Sequence, residues 1–234
     1  MTYQDVKAEL LALAVPEKAV FFKRFFKTGP GQYGEGDEFL GLSVPQQRII
    51  AQTYRRLLPE ETEKLVRDSF HECRLTGLII WTNQAKLPGE ENRRRIFDYY
   101  LRNKSFVNNW DLVDTSCPGI VGNYLLNKDK DRSILYELAQ ENHLWSQRIA
   151  MVSTLAFIRK NQFQDTFQIA ERLLSHRHDL IHKAVGWMLR EVGKKNPDAL
   201  EEFLHDHAGR FPRTALRYAI ERFDPARRKY YLDL

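Results

Sequence analysis

The sequence predicts an all-α protein, folded as a HEAT-like solenoid of stacked helix pairs. Three observations predict it. Apolar residues recur at three-to-four spacing along nearly the whole chain, the signature of helices with one buried face. No run of period-two alternation is bounded by hairpin turns. Similar helical segments return at steps of roughly 30 to 37 residues, the period of α-solenoid repeats. The 234 residues are 43% hydrophobic and 29% charged, a globular balance with enough apolar surface for a core.

In order along the chain, "YQDVKAELLALA", "EKAVFFKRFFKT", "PQQRIIAQTYRRL", "PEETEKLVRDSF", "CRLTGLIIWTNQAK" and "ENRRRIFDYYLRN" each carry that helical pattern. Pro45, Pro59 and Pro88 stand where a first helical turn tolerates proline. The main interruption is "GPGQYGEGDEFLGLS", residues 29–43, whose five glycines mark a long loop. No strand precedes this loop and no GK[ST] follows it, so it is not a P-loop. In the second half, "SQRIAMVSTLAFI" (146–158), "IHKAVGWMLREVG" (181–193) and "FPRTALRYAIERF" (211–223) align with one another. Each opens with a cation, Arg148, Lys183 or Arg213. A small or β-branched residue follows two positions later, at Ala150, Val185 and Ala215. Arg74 takes the same place upstream, and a step of 37 from it lands on Asp111. The chain is therefore expected to form one repeat domain over residues 1–234. Its second helices would line one concave surface.

That register gives the cations a shared direction. Arg148, Lys183 and Arg213, joined by Arg190 close to Trp187, would make a curved basic track suited to a phosphate backbone. A formal net charge of +5 supports this only if the positive side chains gather on one face. Cys73 and Cys117 form no CxxC and no His/Cys metal spacing, so neither a disulfide framework nor a zinc site is expected. No stretch is apolar enough to span a bilayer, and the opening residues lack a basic segment followed by a long apolar run. A cytoplasmic protein is expected.

The segment "NNWDLVD" (108–114) holds an indole and two carboxylates. Trp110 and Asp114 are four residues apart, so on a helix they share a face, offset by about 40°. A core would want the indole alone and a solvated face the carboxylate alone. A site that holds something cationic wants both. A buried indole beside a capping aspartate is the plainer reading of the spacing. The repeat register weighs against it by directing Trp110, Asp114, Arg148 and Trp187 toward one surface.

With "FLGLSVPQQR", "SFVNNWDLVD", "LWSQRIAM" and "IHKAVGWMLREVGKKNPD", the chain resembles the DNA alkylation repair glycosylases of the AlkD type along most of its length. The resemblance implies a HEAT-like solenoid that grips duplex DNA in its concave face. It implies hydrolysis of the N-glycosidic bond of N3- or N7-alkylated purines, without a base pocket or base flipping. Carried over residue by residue, it puts the catalytic carboxylate at Asp114, the indoles that embrace the deoxyribose at Trp110 and Trp187, and a DNA-gripping guanidinium at Arg148. Arg48, closing "FLGLSVPQQR", joins Lys183, Arg190 and Arg213 on the DNA-binding side. Phe25 stands where a relative has tyrosine, so the ring's packing is kept and its hydroxyl lost. The resemblance implies no metal, no cofactor and no obligate protein partner, and a monomer is expected.

Other residues suggest less. The seven histidines are scattered, and "HRH" (176–178) and "HDH" (205–207) lack an i, i+4 pair with a carboxylate for a metal. Glu35 and Asp37 in the glycine loop read as solvated acids, and "NRRR" (92–95) as a solvated face or a phosphate contact. The rival to an enzyme is a non-catalytic solenoid that binds DNA structure or serves as a protein scaffold.

Overall fold

The computed structural model describes residues 1–126 and 130–234. Among the described residues regular structure is helical, and extended pairing is limited to one parallel bridge between Glu38 and Phe70. The chain divides into two compact units, Met1–Tyr124 and Leu125–Leu234.

The first unit contains α1 (Tyr3–Ala12), α2 (Pro16–Phe25), α3 (Val44–Thr53), α4 (Pro59–Val66), α5 (His71–Gln84), α6 (Glu90–Arg102) and α7 (Trp110–Cys117). Its centre is α5, where every residue from His71 to Trp81 is buried. A helix without a polar face has to be enclosed. Here α3, α4 and α7 pack around it, while α1, α4 and α6 succeed one another in contact on the outside. A π-helical turn, Pro118–Gly122, prolongs α7, and the short α8 (Asn123–Leu125) follows.

The second unit contains α9 (Ser133–Gln140), α10 (Leu144–Ser153), α11 (Leu155–Ile158), α12 (Gln164–Leu173), α13 (Asp179–Lys195), α14 (Pro197–His207), α15 (Arg213–Ala219) and α16 (Pro225–Asp233). The same alternation appears, with α10, α13 and α15 packed in succession and α9 and α12 paired outside them. The repeat steps read from Arg74, Asp111, Arg148, Lys183 and Arg213 fall on α5, α7, α10, α13 and α15. The all-α helical repeat that the sequence predicts is the fold found.

Local departures have local causes. α2 stops at Phe25 because Lys27 takes a left-handed conformation, φ 56°. Residues 146–158 are two helices, since α10 ends at Ser153 and the Thr154 hydroxyl donates to the Met151 carbonyl. Pro88 lies ahead of α6, outside its first turn, with Gly89 as N-cap at φ 110°. Among the described residues no helix is long and apolar enough to cross a membrane.

The tightest approach in the second unit is at Gly186 on α13. A Cβ there would lie 2.4 Å from the Ala215 carbonyl oxygen and 2.5 Å from the Tyr218 Cβ. Gly186→Ala should push α15 off α13 and destabilise the protein by about 1–3 kcal/mol. A urea titration checks this: the midpoint falls with an unchanged slope, and an unaltered midpoint would mean the helices separate freely.

Candidate functional site

The site grows from the head of α7. Asn109 ends the preceding turn, and its side-chain oxygen accepts the Trp110 backbone N–H at 2.9 Å. The helix that follows puts Trp110, Asp111, Asp114 and Thr115 on one side, facing a cavity of about 400 Å³. This volume lies in the range of small-ligand sites. Phe21, Phe22 and Phe25 of α2, with Phe26 and Phe39 beyond it, supply most of the opposite wall. Phe26 stacks on Trp110 with ring centroids 5.5 Å apart, and Phe25 meets the indole edge-on at 6.0 Å. Phe21 and Phe25 remain 60% and 50% exposed, so the rim of the cavity is phenyl surface open to water.

Beneath the rings lies a buried set of charges. His71 is the first residue of α5 and only 2% exposed. Its Nδ1 lies 3.0 Å from Asp37 Oδ2 and its Nε2 lies 2.8 Å from Asp111 Oδ2. A neutral imidazole has one N–H and would turn a lone pair toward one of these carboxylates. Both contacts are satisfied only by the imidazolium. Burial alone would lower its pKa. The Asp111 charge and the hydrogen bonds to Asp111 and Asp37 outweigh that, and the ring is raised from 6.5 to about 9. Phe26 and Phe39 lie 4.9 and 4.7 Å from the imidazole centroid, and their π faces also favour a cation.

Asp37 accepts in addition from Arg74 at 2.6 Å and from Asn108 at 3.3 Å. Burial would raise its pKa, but the His71 hydrogen bond and the Arg74 charge hold it below the ordinary aspartate value. Beside His71, Glu72 is fully enclosed and receives the backbone N–H groups of Leu40, Gly41 and Leu42 at 2.9, 2.8 and 3.2 Å. The end of the glycine loop is thus tied to the head of α5. Gly41 is required there: its φ is 88°, and a Cβ would lie 2.3 Å from the Val15 carbonyl oxygen.

Of the residues singled out in the sequence, Trp110, Asp114 and Phe25 meet in this cavity. Arg48 is exposed on α3. Trp187 belongs to the second unit and is half-buried on α13. Of the expected row of projecting cations, Arg213 is exposed and Lys183 partly so, whereas Arg190 is largely covered and Arg148 is buried. Arg148 is 5% exposed, and its guanidinium donates to the Leu180 carbonyl at the head of α13. α10 is enclosed almost all round, so the guanidinium of its fifth residue is buried with it and needs acceptors inside the protein. Lys183 pairs with Asp179 at 2.8 Å, Arg190 pairs with Glu221, and Arg213 donates to the Leu232 carbonyl. Arg74, read with this set, is buried as well and serves Asp37.

One further reading changes. Asp37 is not a solvated loop acid but 6% exposed, because its turn is drawn under α5, whereas Glu35 stays exposed. In the "NRRR" cluster Arg93 pairs with Glu90 and Arg94 with Asp98 on the exposed side of α6. The aromatic cavity and the pairing of His71 with Asp37 and Asp111 were not read from the sequence. The available signal was "HECR", three polar residues at the head of an otherwise apolar helix.

Three comparisons with known proteins bear on this geometry. The family model described as "DNA alkylation repair enzyme" matches residues 6–223. Comparison with curated proteins gives no match. A solved structure described as "Predicted DNA alkylation repair enzyme from Enterococcus faecalis" superposes with a TM-score of 0.69 at 16% identity. That superposition covers 91% of this chain and 97% of the other, so the helical repeat fold is shared.

The charge set under the cavity predicts a pH dependence of stability. His71 has its pKa raised on folding, so its contribution is complete below about pH 6.5 and is lost as pH rises through about 9. Urea midpoints measured across that window should fall for the wild type. His71→Gln, less stable throughout, should lack this fall. The same decline in both proteins would mean that His71 is not the titrating group.

Proposed function

The chain belongs to the DNA alkylation repair enzyme family, and we propose that within it this protein is a DNA glycosylase. It would hydrolyse the N-glycosidic bond of N3- or N7-alkylated purines in duplex DNA. The observation that carries the proposal is the placing of the Asp114 carboxylate in a cavity walled by five phenyl rings and the Trp110 indole. That is an environment for a cation.

The chemistry needs little else. An N3- or N7-alkylated purine is already positively charged. When its bond to the sugar breaks, the electron pair leaves with the base as a neutral molecule, and positive charge moves onto the deoxyribose. Asp114 would stabilise that oxocarbenium-like state and align a water for attack at the anomeric carbon. Two unit charges about 4 Å apart at an effective dielectric near 20 attract by about 4 kcal/mol. Only the part that grows toward the transition state accelerates the reaction, and half of it is worth about 30-fold. The Trp110 face would add about 1–2 kcal/mol when desolvated.

Asp114→Asn keeps the shape and removes the charge. It should bind methylated duplex as the wild type does and release base at least about 30-fold more slowly. The measurement is free 7-methylguanine released from methylated duplex under single-turnover conditions. Wild-type protein that binds the duplex and releases nothing would favour the non-catalytic DNA-binding solenoid. Release at the wild-type rate by Asp114→Asn would remove Asp114 from the chemistry.

Substrate range follows from the same inventory. A carboxylate that stabilises the sugar cation cannot at the same time protonate the leaving base, and each tenfold of missing leaving-group assistance costs about 1.4 kcal/mol. Uracil and hypoxanthine are neutral and depart as poor anions. Matched duplexes at pH 7 should lose N3-methyladenine and N7-methylguanine and retain uracil and hypoxanthine. Comparable release of uracil would require a general acid or a base-reading pocket and would overturn this mechanism.

A further inference from the structure

Besides Asp114 the cavity lining has two carboxylates that the proposed chemistry does not use, Glu72 and Asp111. Asp111 stands one helical turn before Asp114 on α7, and its Oδ2 is held by His71 at 2.8 Å. Its other oxygen, Oδ1, is buried and has no hydrogen-bond partner. His71 in turn reaches Asp37 in the loop between α2 and α3, and its backbone N–H donates to the Glu38 carbonyl at 2.8 Å. One imidazolium therefore joins three chain segments: the glycine loop, the head of α5 and the head of α7.

His71 cannot itself be a catalytic residue. It is 2% exposed, and both ring nitrogens are already committed to carboxylates. Its influence has to pass through what it holds. α7 has only eight residues, too few to be stable without packing and end contacts. Its first residue is Trp110 and its fifth is Asp114, so a displacement of its first turn displaces both.

We propose that His71 is a positioning residue of the site: through Asp111 it fixes the first turn of α7, and with it Trp110 and Asp114, against the glycine loop and α5. This rests on the reading of Asp114 as the excision carboxylate.

The charged groups around the ring are few. The loop contributes Asp37, α7 contributes Asp111 and then Asp114, and α5 contributes Arg74 and Glu72. From α2 and its end only Phe26 touches the ring. While the ring is charged both carboxylates have a donor. Once it is neutral, one of them faces a lone pair inside the protein, and the junction opens.

The test measures single-turnover excision of N3-methyladenine from duplex between pH 6.5 and 9.5, corrected for spontaneous release, with duplex affinity measured in parallel. His71→Gln should slow excision by about 10- to 100-fold at pH 7, the usual effect of a misplaced catalytic group. Its duplex Kd should change by less than about threefold, because excision and not binding depends on the position of Asp114. Wild-type excision should hold to about pH 8 and decline through about pH 9 while the protein remains folded by circular dichroism. Asp111→Asn provides a variant whose amide can accept from the charged ring or donate to the neutral one. Whatever its absolute rate, it should lose the alkaline decline, and this decides the matter if His71→Gln does not fold. Wild-type excision with His71→Gln unimpaired, or an alkaline decline that persists in Asp111→Asn, overturns the positioning role alone. A wild type that excises nothing overturns the reading of Asp114 and this role with it.

Discussion

The geometry of the first unit depends on a buried imidazolium held between two carboxylates. Such an arrangement is expensive to desolvate and cannot be left partly made, because removing any one member strands a charge in an apolar interior. Asp37, His71, Asp111 and Arg74 settle the account among themselves, two negative and two positive. The set as a whole is neutral, which makes its burial tolerable. His71 and Arg74 come from α5, Asp111 from α7 and Asp37 from the glycine loop. The glycine loop, α5 and α7 therefore cannot take up their positions separately.

The aromatic cavity is the complement of this network. Phenyl rings offer no hydrogen bonds and bind neutral polar molecules poorly, but their faces attract cations. Glu72 is engaged by three backbone amides and His71 by two carboxylates, so these polar groups are turned toward the protein. The ring faces make up most of what the cavity presents, with Asp114 also in its lining. Phe25 meets Trp110 edge-on with ring centroids 6.0 Å apart. The contact is made by the ring and needs no hydroxyl.

Much of this was legible in the chain. Period and breakers place the helices to within a few residues, and the steps from Arg74 through Arg213 land on the successive inner helices. Trp110 and Asp114 share a face because four residues make about one turn. What could not be read were contacts between residues 34 and 40 apart, such as Asp37 to His71 and His71 to Asp111, which exist only once the fold brings them together. The misreading of Arg74 and Arg148 as surface cations has a physical lesson. Both sit early in helices that are buried on nearly every side, and a charge on such a helix is enclosed with it. The surrounding pattern, more than the charge itself, tells which way the side chain turns.

The three amides that Glu72 receives have a consequence for motion. A loop with five glycines would ordinarily open on its own, at little cost. Here the backbone at Leu40, Gly41 and Leu42 is bonded to a carboxylate rooted in the most enclosed helix of the unit. Freeing it would strand that carboxylate in the core. This end of the loop is therefore expected to share the lifetime of α5, and its amides to exchange their hydrogens on the time scale of the core. A segment that reads as a long glycine-rich loop is thus fixed at the end that meets the cavity.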